Sequence, residues 1–183
     1  MSAQGSGRYT RSSVGMVGAM IVTVGVILAF VAFRAINRDD LEVQREEIDY
    51  LSSVQELQKV SEVKIVYPPA LPEGLKAVDI KPTDANGWSL DILSDDGDEF
   101  IGIYQGVSGV ADWVKKYVDE NPTRGDVVTL DSAVAKKWQS WSDAGGDYAV
   151  TSKHQGQVVM VFGSADDDLI REVAASLTTK PVR

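Results

Sequence analysis

A chain of 183 residues with 44% hydrophobic and 25% charged content has the composition of one globular domain with an appendage, not of a disordered segment. The absence of cysteine excludes disulfides, thiolate metal sites, a cysteine nucleophile and a lipid-modified cysteine. Of the 18 basic residues, Arg8, Arg11 and Arg34 fall in the first 36 positions, which hold no acid; the other 15 bases and all 27 acids follow, a net charge of −12 that repels nucleic-acid phosphates and anionic headgroups.

Residues 1–13 form a short tail carrying Arg8 and Arg11. Val14–Phe33 reads VGMVGAMIVTVGVILAFVAF, uncharged, with Thr23 its one hydroxyl residue. At about 1.5 Å per residue this run spans roughly 30 Å, the thickness of a bilayer core. It exceeds the roughly 7–15 apolar residues of a cleavable signal peptide and meets Phe33 and Arg34 with no Ala-x-Ala site. Segment 14–36 is therefore expected to be an uncleaved signal anchor that crosses the lipid bilayer once. Basic residues on its two sides nearly balance, Arg8 and Arg11 against Arg34 and Arg38. Keeping a short tail inside and exporting an acidic domain is the simpler orientation. It places the protein in the plasma membrane, N-terminus cytoplasmic and C-terminal domain extracytoplasmic. Gly15/Ala19 and Gly25/Ala29 are small residues four apart. Such faces let helices pack closely, a route to a homodimer through the anchor, yet small residues are also ordinary in membrane helices.

Segment 37–63 is polar and free of Gly and Pro, with Ile48, Leu51, Val54 and Leu57 at helical spacing. A helical stalk is expected, its stripe too short for a sustained coiled coil. Pro68, Pro69 and Pro72 end it, and the extracytoplasmic domain is expected over 64–183.

Strands are expected at Leu75–Ile80, Trp88–Leu93 and Phe100–Tyr104, the second with Trp88, Leu90 and Ile92 on one side. Between the last two lies Asp95-Asp96-Gly97-Asp98, a hairpin turn by its Asp-Gly pair. As a calcium loop counted from Asp91 it fails, since position six is Asp96 and position twelve is Gly102. A helix follows at Ser108–Asp119, with Ser108 as N-cap and Val110, Trp113, Val114 and Tyr117 as its apolar face. Four strands are expected at Val127–Leu130, Ala135–Trp141, Tyr148–Lys153 and Val158–Phe162, then a helix at Asp166–Leu177. The fold class is α+β: after the anchor and stalk, an antiparallel sheet with two helices packed on one face.

The pattern resembles the DUF4245 family of actinobacterial membrane proteins, a domain of unknown function. The residues that carry the resemblance are LPEG at Leu71–Gly74, GWSLDIL, FIGIYQ at Phe100–Gln105, WVKKY, Trp138 and the closing QVVMVFGSADDDLIREVAASL. The resemblance implies a single-pass membrane protein with an exported α+β domain, and carries over no catalytic residue. The element order is also similar to the Mog1/PsbP-like fold, used mainly by accessory proteins.

Chemistry-bearing motifs are sparse. The one histidine, His154, falls at an expected hairpin turn and reads as a surface residue. There is no nucleophile elbow, phosphate loop or ligand set for a metal, and no cofactor is expected. The aromatic–basic stretch KKWQSW stands out. On a strand Trp138 and Trp141 face opposite sides, so one enters the core while the other, with Lys136 and Lys137, is available to a partner; the alternative is that both are buried. The expected function is a non-catalytic binding or accessory module of the cell envelope whose partner is another envelope or membrane protein. Two alternatives stay open: an envelope hydrolase using carboxylates such as Asp91, Asp143 or Asp147, or a small-ligand carrier with a cavity between sheet and helices.

Overall fold

The computed structural model describes residues 13–36, 45–83 and 87–182. The chain divides into two compact units, Met1–Val43 and Gln44–Arg183. In the first, helix α1 (Ser13–Ile36) is 24 residues long. Its side chains are described only at 16–18 and 20–30, a shorter stretch than the roughly 20 residues a membrane span needs. Among the described residues no helix is long and apolar enough to cross a membrane. Of the small-residue packing face foreseen on this helix, Gly25 and Ala29 are exposed. The other half of that face, the side chains at Gly15 and Ala19, lies outside those described.

In the second unit, helix α2 (Tyr50–Val60) is capped by Asp49, whose carboxylate accepts from the Ser52 backbone N–H at 3.1 Å. This corrects the stalk and the domain start at residue 64. The stripe foreseen for a free-standing stalk is a core face: Tyr50 and Val54 are buried, Ile48, Leu51 and Leu57 pack beside them, and the Tyr50 hydroxyl donates to the Pro68 carbonyl at 3.0 Å. Residues 37–44 of the foreseen stalk lie outside the described residues.

Seven strands follow: β1 (Leu75–Thr83), β2 (Gly87–Ser94), β3 (Phe100–Gly106), β4 (Thr123–Thr129), β5 (Lys137–Ser142), β6 (Tyr148–His154) and β7 (Gln157–Gly163). Helix α3 (Val110–Tyr117) lies between β3 and β4 in the chain, and α4 (Asp167–Ser176) closes it. All strands join one antiparallel sheet in the order β1-β2-β3-β7-β6-β5-β4. Two meanders are stitched by β7 pairing with β3, Ile103 opposite Val161.

The sheet is covered on both faces, which corrects the expectation of helices on one. Ile101 and Ile103 share a core with Trp88, Leu90, Val159 and Val161, closed by Ile170, Val173 and Ala174 of α4 and by α2. Tyr104, Met160 and Phe162 face the other way and are closed by Trp113 and Val114 of α3. The reason is in β3 and β7: every residue of QVVMVFG is buried, so neither side of these central strands faces water. Here the rings of Tyr104 and Tyr117 stack at 4.5 Å, with Phe162 5.1 Å from Tyr104. Gly102 makes the room, since a Cβ there would meet the Phe162 ring at 2.4 Å.

Asp95–Asp98 is the turn foreseen: the Gly97 backbone N–H donates to Ser94 O at 3.0 Å and Gly97 has φ +82°. The Asp96 carboxylate accepts from the Asp98 backbone N–H, which helps hold that acid below its ordinary pKa, after the larger effect of the Ser94 hydroxyl. Several boundaries differ: β1 runs on to Thr83 and β5 starts at Lys137, not Ala135. Gly109, not Ser108, caps α3, with no side-chain cap bond. β4 begins four residues before Val127, because it is an edge strand whose exposed residues TRGDVVT carry no apolar alternation.

Candidate functional site

Strand β5, KWQSWS, divides its side chains by alternation. Trp138 is 0% exposed within the α2/α4 core, and its indole N–H donates to the Ala135 carbonyl at 3.0 Å. Lys137, Gln139 and Trp141 face the α3 side. Trp141 is half-buried, and its indole N–H donates to Thr151 Oγ1 at 2.9 Å. Cross-strand from it on β4 stands Arg124, whose guanidinium lies 5.8 Å from the Trp141 ring centroid.

Helix α3 forms one wall of a groove over this end of the sheet. Val110 and Ala111 face Arg124, Trp141, Gln139 and Lys153 across about 390 Å³. Gln139 is fixed by its amide N–H donating to Gly125 O at 2.7 Å and Ser140 O at 3.1 Å. Val127, opposite Gln139 on β4, remains 56% exposed. The lining holds bases and no acid, in a region of net charge −12.

Of the residues singled out from the sequence, Trp141 and Lys137 share this face. Trp138 is corrected to a core residue that no partner can reach without unfolding. Lys136 is exposed in the loop before β5 and pairs with Asp131, which holds that carboxyl below its ordinary pKa. Arg124, Gln139 and Lys153 carried no signal, because cross-strand register is not written in a local pattern. The foreseen helix-packing residues Gly15, Ala19, Gly25 and Ala29 belong to α1, in the first unit.

The candidate carboxylates do not converge. Asp91 is buried, accepts from Lys81 Nζ at 3.0 Å and faces the Tyr104 hydroxyl at 3.4 Å. Burial, then the Asp91 charge, raises the Tyr104 pKa, so the phenol stays a neutral donor. Lys81 also holds Asp79 at 3.0 Å. Beside them a polar cleft of about 220 Å³ is lined by Ser89, Ser108 and Lys116. Asp143 serves a turn, accepting from the Gly146 and Asp147 backbone N–H groups at 2.7 Å each. Burial, then the Asp143 charge, raises the Asp147 pKa. Among the described residues no group of three or more His, Asp or Glu could hold a metal ion.

His154 is also corrected. It is half-buried, and its Nδ1 lies 2.9 Å from the Val134 carbonyl. The hairpin turn foreseen there is a two-residue turn, Gln155-Gly156, with φ 50° and 84°.

The family model described as "Protein of unknown function (DUF4245)" matches residues 8–177. The chain belongs to the DUF4245 family. No curated protein matches it. The DUF4245 match covers α1, α2, the sheet, α3, the groove and all but the last residues of the described chain.

Proposed function

We propose that this DUF4245 protein is a membrane-anchored, extracytoplasmic, non-catalytic module that binds another envelope protein through the Trp141 groove. The uncharged run Val14–Phe33 and the helical backbone of Ser13–Ile36 support the anchor. The acidic charge of the remainder supports its export. A central antiparallel sheet with helices on both faces is consistent with the Mog1/PsbP-like arrangement, which hosts accessory proteins. The observation that carries the reading is the Arg124–Trp141 pair: an aromatic fixed by Thr151 and a guanidinium over it, in an open groove without acids.

The hydrolase reading rests on Asp91 beside its polar cleft. Its ion pair with Lys81 favours a structural role, because a general base needs a lone pair free for the substrate proton.

Cross-linking in cells, mild solubilisation of the tagged full-length chain and mass spectrometry test the binding reading. A stoichiometric envelope protein is expected, and good recovery with no reproducible partner would refute it. Protease added to intact spheroplasts should digest the C-terminal domain; full protection would overturn the orientation.

A further inference from the structure

The bases in and beside the groove say what kind of segment it takes. Among the described residues, Lys59, Lys81, Lys136 and Arg171 each hold a carboxylate. Arg124, Lys137 and Lys153 hold none, as is also true of Arg45, Lys64, Lys76, Lys115 and Lys180; what sets the first three apart is that they share the α3-side face of β4, β5 and β6, where the groove lining contains no acid. In a chain with 27 acids and 18 bases, this face gathers three bases beside a groove lined by no acid.

Their arrangement is directional. Arg124 lies over the ring of Trp141, so one flat face of its guanidinium is against the indole while its N–H edge remains for a planar, two-oxygen acceptor. Lys137 lies four residues along β5 from Trp141, on the same side by alternation. Lys153, two residues beyond Thr151 on β6, faces that side too. At about 3.4 Å per residue, the guanidinium end and the lysine end are roughly 14 Å apart. Between them Val110 and Ala111 offer apolar surface. The guanidinium already occupies the indole face, which argues against a stacked sugar ring.

Building on the module reading above, we infer that the groove binds an acidic peptide segment of the partner protein, in extended form. Two carboxylate side chains four residues apart meet Arg124 at one end and the Lys137/Lys153 pair at the other, with an apolar side chain between them. The remainder of the domain repels such a segment, so charge both selects it and orients it.

The test is site-specific photo-cross-linking in the full-length chain in cells. The photoreactive residue replaces Ala111 on the groove wall or, as a control, exposed Ala133 on the α4 side. Expected is an adduct from position 111 and not from 133, mapping to a protein segment with two Asp or Glu residues four apart. Arg124→Gln combined with Lys153→Gln should cut its yield by about tenfold, the loss expected for one charge-assisted hydrogen bond, while Lys59→Gln leaves it unchanged. An adduct to a second copy of the chain, to glycan or to lipid overturns the inference, as does an adduct whose yield ignores both groove substitutions. If position 111 gives no adduct while an envelope protein still co-purifies, the inference fails and the module reading survives; if neither appears, both fail.

Discussion

Trp138 and Trp141 stand three residues apart on β5 and serve opposite faces of the sheet: one fills the α2/α4 core, the other floors the groove beside α3. Their substitutions should therefore separate stability from binding. Trp138→Ala removes a fully buried indole and is expected to cost about 3–5 kcal/mol. Trp141→Ala removes a half-exposed one and should cost about 1 kcal/mol, yet abolish partner recovery. Thermal melting of the full-length chain, followed by circular dichroism, reads the first; co-purification reads the second. Equal destabilisation by the two would show that Trp141 is also a core residue.

Gly102 tests the aromatic layer under α3. Its missing Cβ makes way for the Phe162 ring, so Gly102→Ala is expected to destabilise by about 1–3 kcal/mol through overpacking. Adding Phe162→Leu should recover part of that loss, because the shorter side chain vacates the contested space. Additive losses in the double variant would place the strain in the backbone instead.

Lys81 provides a pH signature. Its hydrogen bonds to Asp79 and then Asp91 raise its pKa above the ordinary lysine value. A raised base stabilises the fold fully below its unfolded pKa of about 10.4, and the contribution is lost as pH climbs through the folded value. Lys81 is half exposed, so screening limits that contribution to about 1 kcal/mol. Lys81→Met should cost more, about 1–3 kcal/mol at neutral pH, by leaving the Asp91 carboxylate buried without its cation. The deficit should shrink above pH ~10.4, as the wild-type lysine itself discharges. A deficit constant from neutral to strongly alkaline pH would count against the ion pair as its source.

Gln105 ties the segment before β1 to the sheet. Its carbonyl accepts from the Val66 backbone N–H at 2.7 Å and the Trp88 indole N–H at 2.9 Å, while its amide donates to Lys64 O at 2.8 Å and Gln157 Oε1 at 2.5 Å. Gln105→Leu strands two buried donors, at about 1–3 kcal/mol each. Hydrogen exchange should quicken at Val66 before it quickens in β6. Unchanged protection at Val66 would assign its N–H another acceptor.

Much of the fold was legible because its signals are local. Trp88, Leu90 and Ile92 alternate and do share one face, and Val110, Trp113, Val114 and Tyr117 do form the inner side of α3. The β2–β3 turn followed from Asp-Gly. The stripe of α2 was equally visible, but periodicity reports only that a face will be covered, not by what. β4 was misplaced because an edge strand need not alternate.

The sequence by itself determined the apolar N-terminal run, the acidic remainder, the kind of each element and the opposed directions of the two tryptophans. These follow from residue type, chain period and turn chemistry, all of which act within a few residues. Only the tertiary structure decided that β7 returns to pair with β3, that α2 belongs to the core, that helices close both faces, and that Arg124 comes to lie over Trp141. Those relationships join residues far apart in the chain. They are selected by the burial of whole strand faces, which no short window of sequence contains.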